Sequence, residues 1–308
     1  MRVLRLILNG KVASEPLVRE AVAQVRRMGH VVEVSVTWES GDAARFAEEA
    51  RKEGLDLIVA GGGDGTLNEV VNGLLAGGEG PLPAVAVLPL GTANDFARGC
   101  GVPTDPREAL LLAAEGRAVH IDVAKANDRY FVNVASGGFG AHVTAATPPE
   151  LKRALGGAAY ALTGLIEVLN RPQLKPIRFR TAEGEFSEAA IVGAVGNGRQ
   201  AGGGFQVAPA ALLDDGLLDV LLVRETALAD IEGAIEELRD PGAPENRHII
   251  YRRESWLEVE ELEEGLGFIN LDGEPLEGSP KRVRFEVLYR RLPFILPSAA
   301  AHLLMQPM

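Results

Sequence analysis

Two aspartates set among glycines are the first residues of this chain whose types and spacing could do chemistry. Gly61-Gly62-Gly63-Asp64-Gly65-Thr66-Leu67-Asn68-Glu69 follows the apolar run Asp56 to Ala60, and Leu90-Gly91-Thr92-Ala93-Asn94-Asp95 follows the run Ala84 to Leu88. In each, glycines permit a tight turn and close backbone approach, and a threonine leads into helical sequence. The spacings Thr66–Glu69 and Thr92–Asp95 are those of a capping box or near it, and predict well-specified helix starts. A helix start offers backbone N–H groups and the positive end of the dipole to an anion. Loops at the carboxyl ends of parallel strands are also where open α/β sheets bind ligands. Two such loops suit a nucleotide polyphosphate. Neither contains Gly-x-Gly-x-x-Gly, and Gly-Lys-Ser/Thr occurs nowhere in the chain. Asp64 and Asp95 would repel phosphate unless a cation intervened, which points to a magnesium ion carried by the nucleotide. The plainer reading is an acid that complements a helix dipole, worth about 0.3–1 kcal/mol.

A second acidic position ends the segment Phe268-Ile269-Asn270-Leu271-Asp272-Gly273-Glu274-Pro275. Asp272 closes an apolar strand at an Asp-Gly turn, with Glu274 two residues on; by itself the pattern reads as a hairpin. Asp214-Asp215-Gly216 likewise reads as a turn between strands. Gly196-x-Gly198-x-x-Ala201 is followed by further glycines instead of a helix, and reads as a flexible loop. The five histidines have no metal-ligand spacing, and the single cysteine, Cys100, reads as a small buried hydrophobe that fits a reducing compartment.

The elements that must position these residues change character along the chain. Through about residue 120, apolar runs alternate with helical patterns: Val3 to Asn9, Pro16 to Met28, Val31 to Thr37, Asp42 to Lys52, Asp56 to Ala60, Leu67 to Leu75, Ala84 to Leu88 and Arg107 to Glu115. That order predicts right-handed crossovers and a parallel sheet covered on both faces. Beyond Val119, strand patterns follow one another: His120 to Lys125, Tyr130 to Ala135, Lys175 to Thr181, Phe186 to Val195, Leu217 to Val223, His248 to Val259 and Arg282 to Leu288. They predict an antiparallel sandwich, interrupted by helical stretches over Pro149 to Asn170 and Leu228 to Leu238.

The 308 residues allow two domains, and the net charge of −12 excludes nucleic acid as the main partner. Contact with an anionic membrane would need a local basic patch, for which Lys152-Arg153, the set Arg171, Lys175, Arg178 and Arg180, and Arg290-Arg291 are candidates; as separate groups they read as solvated surface charges. The amino terminus reads as a strand and not a signal peptide, and no apolar stretch approaches the roughly 20 residues needed to span a bilayer. A cytoplasmic location is expected.

Gly61 to Glu69 and Asn94-Asp95-Phe96-Ala97-Arg98 resemble the signature of the diacylglycerol-kinase catalytic-domain superfamily, closest to its bacterial YegS-like lipid kinases. Supporting segments are Asn9-Gly10-Lys11, Val36-Thr37-Trp38-Glu39, Ser136 to Gly140, Gly196 to Gly204 and Asn270 to Pro275. The resemblance implies an α/β protein: a parallel-sheet, Rossmann-like nucleotide domain over residues 1–122, an antiparallel β-sandwich domain over 123–289, and a tail over 290–308 that packs back on the first. The active-site cleft would lie between the domains.

By the same resemblance, Asn9, Thr37, Gly63, Asp64, Gly65, Thr66, Leu67, Asn68, Glu69, Thr92 and Asp95 would serve ATP and its Mg2+. A second, structural Mg2+, with Ca2+ as an alternative, would bind Leu212, Asp215 and Leu217. Asp272 would accept the proton of a lipid hydroxyl, with Glu274 in reserve, and Asp122 would help link the metal site to the cleft, though it reads equally as an ordinary strand-edge acid. The acceptor is expected at a membrane surface, its tail in an apolar groove for which the helical Leu155 to Leu169 stretch is a candidate lining, though that stretch reads equally as ordinary core; phosphatidylglycerol- and diacylglycerol-like lipids both qualify, and a homodimer is compatible. The competing readings are an NAD-kinase-like enzyme with a soluble acceptor and a nucleotide-sensing module without turnover.

Overall fold

The computed structural model describes residues 1–138, 176–224, 236–261, 269–278 and 280–305, together with 233 and 266. The helical stretch Pro149 to Asn170, the groove stretch within it, and most of Leu228 to Leu238 lie outside the described residues. The chain forms two compact units, the first comprising Met1–Val123, Leu212–Asp215 and Leu288–Met308, the second Ala124–Ala211 and Gly216–Val287.

In the first unit β1 (Val3–Leu8), α1 (Pro16–Arg27), β2 (Val31–Val36), α2 (Asp42–Lys52), β3 (Leu57–Gly62), α3 (Asp64–Ala76), β4 (Ala84–Pro89), α4 (Asp95–Gly99) and α5 (Pro106–Glu115) follow in order. The strands are parallel in the order β2-β1-β3-β4, with Leu4 paired to both Val32 and Leu57, and Leu57 to Ala84. Every residue of β3 is buried, as a central strand covered on both faces requires. The helix α1 starts at Pro16 and turns Val18, Ala21, Val22 and Val25 inward, the spacing of one helical face. At α5, the Asp105 carboxylate accepts from the N–H groups of Arg107 and Glu108, satisfying two orphan donors.

The second unit is antiparallel; its first strand begins, and its last ends, within residues of the first unit. The strands β5 (Ala118–Ala126), β6 (Arg129–Phe131), β7 (Val134–Gly138), β8 (Ile177–Thr181), β9 (Gly184–Glu188), β10 (Ala190–Gly196), β11 (Gln200–Ala201) and β12 (Phe205–Gln206) are followed by β13 (Leu218–Arg224), β14 (Ile249–Glu254), β15 (Trp256–Glu260), β16 (Ile269–Leu271), β17 (Glu274–Pro275) and β18 (Arg282–Ile295). One sheet runs β14-β13-β10-β7-β16-β17, and β18-β15-β8-β9 form the other layer. Phe131, Phe179, Leu257 and Phe285 pack with Val195, Leu218, Val220 and Ile269 in one buried cluster drawn from both layers. Burying each such side chain contributes about 1.5–3 kcal/mol.

Three predicted strands prove to be six. Tyr130 to Ala135, Phe186 to Val195 and His248 to Val259 each break within two residues, and the last two change sheets at Ala189 and Ser255: β9 pairs with β8 but β10 with β13 and β7, and β14 pairs with β13 but β15 with β18 and β8. Strand-forming residues lie on both sides of each break and only one or two residues separate them, so local pattern alone does not mark the change of pairing partner. Of the basic candidates, Lys152, Arg153, Arg171 and Lys175 lie outside the described residues, and Arg178, Arg180, Arg290 and Arg291 are engaged. Arg178 and Arg180 pair with Glu185, Glu258 and Glu260, and Arg290 pairs with Asp214.

Two carboxylates tie down turns of the first unit. Asp42 accepts from the N–H groups of Trp38 and Glu39 and pairs with Arg45, and together these hold its carboxyl well below the usual range, at about 2. Arg107 does the same for Asp105, also to about 2. The folded state therefore binds fewer protons than the unfolded chain between the ordinary value of 3.8 and about 2, so this stability is present above pH 3.8 and lost as pH falls toward 2. The double substitution Asp42→Asn, Asp105→Asn is expected to flatten the dependence of Tm on pH below about pH 4, measured by calorimetry. A parallel fall in variant and wild type would show that other groups carry the acid transition.

Candidate active site

The glycine-rich loops meet at the carboxyl ends of β1 to β4. Gly63 and Gly91 lie back to back, so close that a Cβ on Gly91 would sit 2.5 Å from the Gly63 Cα. Asn94 locks the second loop from a left-handed conformation (φ 51°), its Oδ1 accepting from Gly91 N at 2.9 Å and its Nδ2 donating to Gly91 O at 2.7 Å. Asparagine is among the few residues that adopt this conformation readily. Asn9 ends β1 and donates through Nδ2 to Thr66 Oγ1 at 3.3 Å, while Thr37 Oγ1 accepts from Gly10 N at 3.2 Å. Asn9, Thr37, Gly63, Asp64, Gly65, Thr66 and Asp95 thus share one region of the first unit, with Thr92 exposed beside Gly91. Leu67 and Asn68 belong to its interior, at 2% and 1% exposure.

The helix caps differ from the predicted ones. The helix α3 begins at Asp64 with Gly63 as its cap residue, and α4 begins at Asp95 after Asn94. Neither threonine caps its own helix. Glu69 instead accepts from the N–H groups of Gly41 (3.1 Å) and Ala43 (3.2 Å), capping the start of α2. Asp64 accepts from Asp95 N (3.0 Å) and Phe96 N (3.2 Å), joining the starts of α3 and α4. Burial pushes the Asp64 carboxyl up, the two N–H groups oppose that, and the charge of Asp95 adds to the rise. Two hard oxygen donors of like charge, partly withdrawn from water, fit a divalent cation that relieves their repulsion.

In the second unit, three sequence motifs converge on Asp272. The gap between β6 and β7 aims three backbone N–H groups at its carboxylate: Val132 at 2.8 Å to Oδ2, Asn133 at 2.9 Å and Val134 at 3.0 Å to Oδ1. Asp272 is 6% exposed and has φ 52°. Asn197 donates through Nδ2 to Val132 O at 2.7 Å, and Asn133 O accepts from the N–H groups of Asn197 and Gly198. A Cβ on Gly198 would lie 2.4 Å from Asn133 Oδ1, so a larger residue there would have to displace the Asn133 side chain. The segment Gly196 to Ala201, expected to be flexible, is an anchored turn leading into the β11–β12 hairpin. Glu274, two residues past Asp272, is exposed. The same unit contains a small apolar cavity of about 80 Å³, lined by Phe179, Val195, Leu222, Leu257, Ile269 and Phe285 among others.

Around the expected structural metal loop, Leu212 and Asp215 belong to the first unit and Leu217 to the second. Asp214, beside them, accepts from Arg290 Nη2 (2.8 Å) and Met305 N (2.6 Å) and so fastens the carboxy-terminal segment. Asp122, fully buried, accepts from Arg290 N at 2.6 Å and donates its own N–H to Leu213 O. Among the described residues, no group of three His, Cys, Asp or Glu side chains could hold a metal. The expected set relies on two carbonyls and one carboxylate, a hard-oxygen chemistry compatible with Mg2+ or Ca2+.

Residues 3–126 match the diacylglycerol kinase catalytic domain family, and residues 133–296 match the YegS C-terminal NAD kinase beta sandwich-like domain family. A protein of Chromohalobacter salexigens named "Probable lipid kinase YegS-like" is 48% identical over 88% of this chain and 86% of its own. One of Shewanella frigidimarina, named alike, is 43% identical over 96% and 94%. Among solved structures, a diacylglycerol kinase from Bacillus anthracis superposes with a TM-score of 0.78 at 27% identity, covering 97% of this chain and 98% of that one. With a catalytic-domain match on the glycine-loop unit, a sandwich match on the antiparallel one and close relatives along nearly its whole length, this chain belongs to the YegS-like family of lipid kinases and is a kinase with an alcohol acceptor.

Proposed function

We propose that the chain transfers the terminal phosphate of ATP, with Mg2+, to the hydroxyl of a phosphatidylglycerol- or diacylglycerol-like lipid. The observation that carries this reading is the joined start of α3 and α4, where Asp64 and Asp95 lie together beside a backbone turn suited to phosphate. Asn9, Thr37, Gly63 to Glu69 and Thr92 are assigned to the nucleotide. Leu67 and Asn68 would contribute through the helix they stabilise, since their side chains are buried. When bound, Mg2+ would supply charge neutralisation on the transferred phosphoryl group. Asp64 and Asp95 would hold it, and Leu212, Asp215 and Leu217 would hold the structural ion.

The turn Asp272–Glu274 is assigned the acceptor's proton. Because the Asp272 oxygens already accept three backbone N–H groups, the exposed Glu274 is the better placed of the two to take it, with Asp272 fixing the turn. The apolar lining of the cavity supports a lipid tail as part of the acceptor.

Transfer of label from ATP to mixed micelles of candidate lipids, with Mg2+ and with EDTA, tests the proposal. Incorporation into lipid only with Mg2+ is expected; labelling of NAD instead would favour the soluble-acceptor reading. The tail site has its own test. A Cβ on Gly193 would meet only Leu222 Cδ2, at 3.4 Å, so Gly193→Leu can fill the cavity without displacing backbone. It is expected to lower activity on long-chain acceptors about tenfold or more through lost methylene burial, with ATP binding and Tm maintained. Unchanged activity on all chain lengths would make the cavity a packing void.

A further inference from the structure

Trp38 is the most exposed large apolar side chain of the described residues, level with Met1 at 94%, yet its backbone is among the best tethered in the first unit. Its N–H donates to Asp42 Oδ2 at 2.8 Å, and the same oxygen accepts from Glu39 N at 3.1 Å. On one side, Thr37 N donates to Leu8 O. On the other, Glu69 holds Gly41 and Ala43. The loop therefore presents an indole to solvent from a fixed base. The other tryptophan, Trp256, is covered by the Arg284 guanidinium at 4.4 Å.

The position of that indole within the unit narrows what covers it. Thr37, its neighbour, binds Gly10; Asn9, next to Gly10, reaches Thr66 at the start of α3. A short chain of contacts thus joins Trp38 to the phosphate turn. A Cβ on Gly10 would sit 2.3 Å from Thr37 O, so the two loops pack backbone to backbone and leave no bulky side chain between them. Beyond its phosphates a nucleotide carries a flat aromatic base, and an exposed rigid indole is a surface on which a base stacks. Anionic lipid is the poorer match. Glu39 and Asp42 flank the tryptophan, and the adjacent Arg45 is committed to Asp42 and Glu49.

Resting on the ATP reading above, we propose that Trp38 is the base-stacking platform of the nucleotide site and sets its preference for a nucleoside triphosphate over bare polyphosphate. In full-length Trp256→Phe protein Trp38 is the only indole, and its fluorescence is expected to be quenched saturably by ATP but not by inorganic tripolyphosphate. Trp38→Ala is expected to raise KM for ATP about tenfold with kcat changed less than about threefold, and Trp38→Phe to restore most of the affinity. ATP turnover by the unmodified chain with an unchanged KM in Trp38→Ala would overturn the platform alone. A rise in KM for lipid only, with emission shifting to the blue on phosphatidylglycerol vesicles, would overturn it in favour of a membrane contact. No ATP turnover by the unmodified chain would remove the kinase-donor reading and the platform with it.

Discussion

Glu274→Gln is expected to slow turnover about 10²–10⁴-fold, the usual contribution of a positioned general base, while Tm stays within about a degree of wild type. Glutamine keeps the size and hydrogen-bonding reach of glutamate but loses the proton-accepting charge. Glu274 is exposed at the β16–β17 turn, so the fold does not depend on that charge. Steady-state assay with saturating ATP and lipid, beside a thermal melt, reads both quantities. Near-full turnover in this variant would take the proton away from Glu274.

Asp272→Ala should fail differently. Three buried N–H groups converge on that carboxylate, and removing it leaves them without an acceptor where water has little access. Each orphaned donor costs about 1–3 kcal/mol, so a combined loss of about 3–9 kcal/mol is expected. For a unit of this size that corresponds to a Tm lowered by about 6 °C or more. Asp272→Asn should fall between, because its Oδ1 can still accept from Asn133 and Val134 while its NH₂ faces the Val132 N–H. Activity in the alanine variant is expected to drop in proportion to the folded fraction, checked by assaying well below its melting point. A variant that melts like wild type but turns over 10²-fold or more slowly would make Asp272 itself the proton acceptor.

The contrast between these two acids also marks how far residue order reaches. Alternating helical and apolar periods placed α1, α2, α3 and α5 and the four parallel strands, because each pattern is local: a helix face or a buried strand is read within about ten residues. The glycines around Asp64 and Asp95 were legible for the same reason, since a tight turn between a strand and a helix needs them whatever surrounds it. The net negative charge follows from composition alone.

What each carboxylate bonds was settled only by the tertiary structure. Glu69 caps a helix start 26–28 residues upstream, Asp64 one 31–32 residues downstream, and Asp272 holds amides 138–140 residues away. A carboxylate carries no mark of which N–H it will meet; any orphan donor at the right distance serves, and distance in space appears only once the sheets have formed. The same holds for the strands that change sheets at Ala189 and Ser255, where the pairing partner on either side of the break is set by the tertiary structure.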